Sequence, residues 1–155
     1  MRKIMADPKP KLVIIYGTGT NNTRAVAEGI ESGARDEGAD TVLLNVSDLS
    51  KEEIVAEITG AQGVAIGSPT YNRKPIPAIV TLAEMLKGVD MGGKVCATFG
   101  SYGHSGEAPK TLKRVLKPCN MEQMEVLRIL GKPSGPALDE CREYGAEIAR
   151  NMLEK

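Results

Sequence analysis

The sequence of 155 residues predicts a three-layer α/β/α domain built on a five-stranded parallel β-sheet. Two observations lead to this fold class. Five short apolar segments alternate with five segments of helical periodicity, and the strongest apolar segments are unbroken, as in strands covered on both faces. Because crossovers between parallel strands are right-handed, this alternation places helices on both sides of the sheet. No internal repeat marks a second domain, so we expect one domain over residues 11–155 after a loose leader at residues 1–10.

The first half of the chain contains three expected strands. Residues 12–16 form an unbroken apolar run, residues 41–46 are expected to form the second strand, and residues 64–67 form another buried run. Between the first two strands, apolar residues at helical spacing continue until Gly38, where a glycine favours a helix end. Serines within residues 47–50 are cap candidates for the next helix, because their hydroxyls accept hydrogen bonds from the first helical N–H groups.

The second half of the chain continues the alternation. Pro77 suits the first turn of a third helix. A fourth strand is expected at residues 94–99, and the helix after it must end before Pro118. Residues 124–130 alternate less cleanly, as in a strand at the sheet edge, and a last helix repeats apolar residues over positions 138–152.

Composition and charge exclude several classes of protein. Apolar residues make up 41% of the chain and charged residues 26%, as in ordinary globular domains. Lys plus Arg and Asp plus Glu both number 20, so no net charge attracts nucleic acid. No apolar run approaches the roughly 20 residues that cross a bilayer, and the apolar stretch near the amino terminus is too short for a signal peptide. Three cysteines without metal-ligand spacing suit reduced thiols in a cytoplasmic protein.

The segments of most unusual composition follow the first, third and fourth strands. Ligands of open α/β sheets bind beyond the carboxyl ends of the strands, at the point where the strand order reverses. The three segments meet there only if those strands are neighbours, which requires the order 2-1-3-4-5. We therefore expect this order and a binding site formed by three loops.

The first loop can surround an anion. It consists of Thr18, Gly19, Thr20, Asn21, Asn22 and Thr23. These residues offer three hydroxyls, two amides and the free N–H groups of a helix start, where the helix dipole favours negative charge. The loop has no Lys or Arg and matches neither the Walker nor the dinucleotide-binding glycine pattern. The same residue types also form ordinary turns with a helix cap, so phosphate binding and simple capping both stay open.

The second and third loops each place a tyrosine among polar groups. The second consists of Ser68, Pro69, Thr70, Tyr71 and Asn72, and the third begins with Gly100, Ser101, Tyr102, Gly103 and His104. The chain has four Tyr, one Phe and no Trp, and two of these five rings lie in the loops. Core packing does not readily account for rings in polar loops, whereas stacking on a planar heteroaromatic ligand does.

Taken together, these motifs resemble the FMN site of flavodoxins. Residues 15–23 resemble the flavodoxin phosphate loop, and residues 67–71 and 99–106 resemble the two isoalloxazine loops of the flavodoxin domain in flavodiiron proteins (A-type flavoproteins). The resemblance covers residues 11–153 and implies a flavodoxin-like fold with FMN as the cofactor. It implies that the first loop holds the phosphate, and that the second and third loops line opposite sides of the flavin ring.

Two departures from that family limit what the resemblance implies. His104 stands where the family commonly has a tryptophan, and a lone histidine in a loop is more often solvated than catalytic. The diiron domain that precedes the flavodoxin domain in flavodiiron proteins is missing from this sequence, and one histidine cannot build its iron site. Reduction of oxygen or nitric oxide at iron is therefore not expected of this chain.

The leading hypothesis for function is a cytoplasmic electron-transfer flavoprotein that holds FMN and tunes its potential, with no catalytic residue required. Its expected partners are redox proteins, including a separate iron-containing protein, but neither nucleic acid nor a membrane. One alternative is an FMN-dependent NAD(P)H:quinone or nitro reductase on the same fold. Another is a flavin-free interaction or signalling domain, which would carry an aspartate cluster at the strand ends. The sequence leaves the oligomeric state open.

Overall fold

A computed structural model describes residues 9–17 and 21–154. In this part of the chain the strands are β1 (Lys11–Tyr16), β2 (Asp40–Asn45), β3 (Gly63–Gly67), β4 (Thr70–Tyr71), β5 (Lys74–Pro75), β6 (Val95–Tyr102), β7 (Glu122–Gln123) and β8 (Leu127–Leu130). The helices are α1 (Asn22–Asp36), α2 (Lys51–Thr59), α3 (Pro77–Leu86), α4 (Ala108–Val115) and α5 (Pro136–Leu153), with a 3-10 turn at Lys117–Cys119.

The main sheet is parallel, with the order β2-β1-β3-β6 followed by β7 and β8, which both pair with β6. The predicted order 2-1-3-4-5 is confirmed, because β6 is the fourth long strand and β7 and β8 together occupy the fifth position. The carboxyl ends of β1, β3 and β6 therefore lie side by side. This arrangement brings the three predicted loops together beyond the carboxyl ends of the strands.

Two strands differ from the sequence prediction. The fourth strand was expected to end at residue 99, but β6 continues to Tyr102 because its last four residues pair with β8, from Phe99 with Leu127 to Tyr102 with Leu130. The fifth strand was expected to be continuous over residues 124–130, but it is divided into β7 and β8. The start of the third predicted loop is consequently held rigidly in the sheet.

Helices cover both faces of the sheet, and alternate residues of each strand enter different cores. Leu12 and Ile14 pack in a core with α1 and α5, whereas Val13 and Ile15 pack in a core with α2, α3 and α4. All four of these β1 side chains are fully buried. The predicted three-layer arrangement is therefore confirmed.

The three cysteines are free and buried, and burial raises the pKa of the Cys96 thiol to about 12. None of the described helices is long and apolar enough to cross a membrane.

Helix α2 begins at Ser50, one of the predicted cap serines, and its first turn forms a capping box. The Glu53 N–H donates to Ser50 Oγ at 3.1 Å, and the Ser50 N–H donates to Glu53 Oε1 at 3.0 Å. These backbone and side-chain contacts with Ser50 lower the pKa of Glu53. The reciprocal bonds satisfy two donors at the helix start.

Candidate functional site

A cleft of ≈ 230 Å³ lies beyond the carboxyl ends of β1, β3 and β6. Its lining residues are Asn22, Pro69, Thr70, Tyr71, Ser101, Tyr102, Gly103 and Gly131. All three loops predicted from the sequence contribute to it. The cleft therefore occupies the position where open α/β sheets bind their ligands.

The first loop meets the cleft at the amino terminus of α1. Asn21 is the N-cap residue and has a left-handed backbone with a φ of 67°. The first turn of an α-helix leaves N–H donors without helical partners, and the first turn of α1 carries no acidic residue. This helix end is therefore suited to an anion. Thr18, Gly19 and Thr20 lie outside the described residues.

A buried hydroxyl pair joins α1 to β6. Thr23 Oγ1 and Ser101 Oγ lie 2.6 Å apart, and the two residues are 0% and 4% exposed. A hydroxyl has one donor and two acceptor sites, so one of the pair donates to the other and the acceptor keeps its own O–H. When Thr23 is the donor, the free O–H belongs to Ser101, which lines the cleft.

The second loop is a tight β-hairpin. Asn72 and Arg73 connect β4 to β5, and their φ angles of 51° and 64° are those of a two-residue type I′ turn. Buried Ser68 supports this hairpin: its Oγ accepts the Ile76 N–H at 2.9 Å and donates to the Pro69 carbonyl at 2.7 Å. The hairpin holds Tyr71 at the rim of the cleft, where this residue is 48% exposed.

The Thr70 hydroxyl joins the hairpin to the helix that follows the third loop. Its Oγ1 accepts the Ala108 N–H at 3.0 Å, at the start of α4. The hydroxyls of Ser68 and Thr70 therefore hold the second loop in its conformation. Backbone groups and the exposed tyrosine remain to contact a ligand.

The third segment consists of the end of β6 and the residues beyond it. Gly100 is required at this point, since a Cβ there would lie 2.3 Å from the Ser68 carbonyl oxygen. The Tyr102 ring packs beside Gly106, where a Cβ would be 3.0 Å from Tyr102 Cδ1. Gly103 has open space around its Cα, with no atom within 4 Å of a built Cβ. The tyrosine ring is thus fixed beside an unobstructed stretch of backbone.

The rim of the cleft next to the third loop carries charge. A hydrogen bond from the Ser105 side chain, and further the positive charges of Arg73 and Arg128, lower the pKa of Glu107. His104 is exposed and does not line the cleft. These charges lie around the cleft, whereas the residues that line it are uncharged.

Apart from His104, the predicted site residues that the structure describes fall into three groups. Seven of them line the cleft, as given above. Ser68, Thr23 and Gly100 are buried and support the lining residues. Asn21 borders an adjoining depression with Asn22, and Asn72 forms the turn of the hairpin.

One lining residue was not predicted from the sequence. Gly131 follows β8 and has a φ of 66°, a left-handed conformation that favours glycine. The sequence signal is the Gly131-Lys132-Pro133 turn directly after the edge strand. Because the fifth strand is adjacent to the fourth, its carboxyl end also reaches the cleft.

The described residues also contain two larger depressions, of ≈ 610 and ≈ 590 Å³, on either side of the segment that includes β7. Neither is lined by a residue of the cleft. No group of three or more His, Cys, Asp or Glu side chains in residues 9–17 and 21–154 is placed to hold a metal ion.

Comparison with known proteins agrees with this geometry. Residues 14–145 match the flavodoxin family. The anaerobic nitric oxide reductase flavorubredoxins of Pectobacterium carotovorum strain PC1 and Escherichia coli O1:K1 are each 34% identical to this chain over 142 residues. These matches cover 90% of this chain but only 28% and 30% of the two relatives. The chain thus spans less than a third of the length of these curated relatives.

Two similar solved structures differ in how much of them the chain covers. A flavodoxin from the domain Archaea is 33% identical with a TM-score of 0.82, and the match covers 92% of this chain and 99% of that one. The rubredoxin oxygen:oxidoreductase of Desulfovibrio gigas is 28% identical with a TM-score of 0.89, and the match covers 94% of this chain and 37% of that one. The same fold therefore matches a complete small protein and part of a longer one.

Proposed function

The chain belongs to the flavodoxin family, and from that premise we propose that its cleft holds FMN and that the domain carries electrons between partner proteins. Flavodoxins and the flavodoxin domains of flavodiiron proteins bind FMN and transfer electrons, and this chain is an FMN-binding electron-transfer domain. Our proposal extends to the residues that hold the cofactor and to the chemistry of its partners.

The single observation that carries the proposal is the convergence of three loops on one uncharged cleft that two tyrosines line. Pro69, Thr70 and Tyr71 form one wall, and Ser101, Tyr102 and Gly103 form another. A planar heteroaromatic ring stacks favourably on tyrosine and receives hydrogen bonds from the backbone of such walls. These residues therefore fit the ring of FMN.

The amino terminus of α1 fits the phosphate. Thr18, Thr20, Asn21, Asn22 and Thr23 are the proposed ligands, together with the N–H groups of the first helical turn. All of these groups are uncharged, and the helix dipole supplies the favourable potential. The hydroxyl pair of Thr23 and Ser101 would link the phosphate end of the cleft to its ring end.

The remaining predicted residues support the site or stay predicted contacts with FMN. Ser68 and Asn72 keep the hairpin in place, Gly100 allows the close approach of β3 and β6, and Gly19 and His104 stay predicted contacts. When bound, FMN supplies the redox chemistry, and the protein orients it and tunes its potential. Tyr71 and Tyr102 are the side chains best placed to do so.

The exposed rim of the cleft favours a carrier over a reductase. Tyr71 is 48% exposed, and Gly103 is also exposed. A flavin held between these residues would keep an accessible edge, which electron transfer to another protein requires.

We propose that one of the redox partners is a separate iron-containing protein. Similar proteins include a rubredoxin oxygen:oxidoreductase, whose name pairs that enzyme with a rubredoxin, and flavorubredoxins, which pair with iron-containing domains. Exposed cations lie beside the cleft at Arg73 and Lys74, and these could meet an acidic face of such a partner.

Stopped-flow mixing tests the carrier function against the reductase alternative. The FMN-loaded protein is mixed with NADH or NADPH without oxygen, and the flavin absorbance is followed; dithionite serves as the control that the flavin can be reduced. We expect reduction by dithionite and negligible reduction by either nicotinamide cofactor. Rapid, saturable bleaching by NADH or NADPH would replace the carrier by the reductase.

A further inference from the structure

The edge of the sheet opposite β2 is flanked by two grooves of opposite charge. The edge segment, residues 121–127, contains β7 and lines both grooves. The groove volumes are ≈ 610 and ≈ 590 Å³. The first groove lies against α4 and the second against α5. Because α4 and α5 pack in different cores, the two grooves lie on opposite faces of the sheet.

The wall of the first groove is a basic stripe. It is formed by Lys110, Lys113, Arg114 and Lys117. Their spacing of i, i+3, i+4 and i+7 places them on one face of α4 and the turn after it. None of the four forms an ion pair within the described part of the chain, whereas Arg35 and Arg142 on other helices lie 3.4 and 3.5 Å from carboxylates. The groove therefore presents four cations that form no ion pair within the described chain, and Glu125 is the one carboxylate among its described lining residues.

The wall of the second groove is an acidic stripe. It is formed by Glu140, Glu143 and Glu147 of α5, with Glu122 and Glu125 contributed by the edge segment. The three helix residues follow a spacing of i, i+3 and i+7 and so share one face of α5. Glu143 is paired with Arg150, but Glu140 and Glu147 form no ion pair with any described residue. Both helix carboxylates are exposed.

Apolar side chains lie between the charged stripes. Met121 and Val126 line the basic groove, and Met124, Leu127 and Tyr144 line the acidic groove. All of these side chains except Val126 are buried in the two cores, so they form the floors of the grooves, and the charged side chains form the exposed walls. The strand at this edge is short and divided, so it offers no extended backbone ladder to a partner.

We propose that this edge is the interface of a two-fold symmetric dimer, in which the basic stripe of each copy meets the acidic stripe of the other. A two-fold axis parallel to the strands at this edge reverses the two faces of the sheet. It therefore places α4 of one copy in the same layer as α5 of its partner. Each dimer contains this complementary contact twice, as an isologous interface requires.

A second copy explains both grooves, whereas another partner would explain only one. An acidic peptide or a nucleic acid would be attracted to the basic stripe but would leave the acidic stripe, on the opposite face of the sheet, without a partner. Among the described residues that line the basic groove, none is aromatic, so no side chain there offers a ring on which a base could stack. Charge complementarity between copies uses both stripes.

Charge reversal on each stripe tests the dimer. The variants K110E/R114E and E140K/E147K change exposed residues of opposite stripes. Sedimentation velocity over a range of concentrations should show a dimer for the 155-residue wild-type chain. Each variant alone should dimerise at least about tenfold more weakly, a change that corresponds to about 1.4 kcal/mol spread over two symmetric contacts.

Mixing the two variants is the decisive step, because a mixed dimer would again have opposite charges at both contacts. We expect the equimolar mixture to recover dimers at wild-type concentrations, and we expect salt to weaken the wild-type dimer. The control K87E/R142E reverses two exposed cations outside the stripes and should remain dimeric.

A monomeric wild-type chain at every attainable concentration would overturn the proposal. So would a mixture that stays monomeric, or a control variant that dissociates as readily as K110E/R114E. No described residue that lines either groove also lines the cleft, so FMN affinity should be equal in all these variants. A wild-type chain that fails to bind FMN would contradict the proposed cofactor site, whereas a wild-type chain that fails to dimerise would contradict only the proposed interface.

Discussion

Removal of the Tyr71 ring tests the assignment of the second loop to the flavin ring. Tyr71 is 48% exposed at the rim of the cleft, so about half of its surface is available for contact with a ligand. A tyrosine buries about 150–250 Å² in full, and covering the exposed half completely at about 25 cal/mol per Å² contributes roughly 2–3 kcal/mol. With partial cover and a stacking contribution of about 0.5–1.5 kcal/mol, Tyr71→Ala should weaken FMN by about 1–3 kcal/mol, or roughly 5- to 150-fold.

Fluorescence titration of FMN measures this change, with Tyr71→Phe as the matched control. Phenylalanine keeps the ring, and the Tyr71 hydroxyl has no described hydrogen bond to lose, so its affinity for FMN should stay close to that of the wild type. Stacking on an electron-rich phenol disfavours a reduced, anionic flavin, so Tyr71→Ala should also raise the flavin potential. Equal FMN affinity and potential in Tyr71→Ala and the wild type would refute the placement of this loop beside the ring.

Three further predictions concern the phosphate, the close approach of two strands, and pH. Thr23→Val should weaken FMN more than riboflavin in parallel titrations, because the lost hydroxyl serves the phosphate end; equal losses would contradict this role. Gly100→Ala should lower the thermal midpoint by the equivalent of about 1–3 kcal/mol, since its Cβ would meet a carbonyl oxygen at 2.3 Å, whereas Gly103→Ala, with open space, should not. Ser50→Ala should lower the midpoint at neutral pH by a few degrees. The pKa of Glu53 lies below 4.5 in the folded protein, so this stabilisation is lost as the pH falls below that value, and the difference between Ser50→Ala and wild type should shrink in acid.

The fold was largely predictable because its signals are local. The run from Leu12 to Tyr16 is buried on both faces, as its unbroken apolar character predicts. Ser50, one of the predicted cap residues, caps α2. Helical spacing located each helix for the same reason, since a buried face recurs with the helix period. The strand order followed from a functional argument, because three unusual loops had to meet.

The features that escaped prediction depend on contacts between distant residues. Tyr102 belongs to β6 only because Leu130, 28 positions later, pairs with it. The bond between Thr23 and Ser101 spans 78 positions, and neither residue type reveals its partner. Gly131 lines the cleft because it directly follows β8, which pairs with β6. Local patterns carry no information on such pairings, so the sequence could assign the loops to the site but not the partners within it.

Titration of the isotope-labelled chain with FMN, followed by amide NMR, tests the central claim most directly. We expect the shifts to saturate at one FMN per chain, with the largest changes at Asn22, Tyr71, Tyr102, Gly103 and Gly131. Residues of the two grooves at the sheet edge should be nearly unaffected. Saturation at a different ratio, or shifts centred on those grooves, would contradict an FMN site in the cleft.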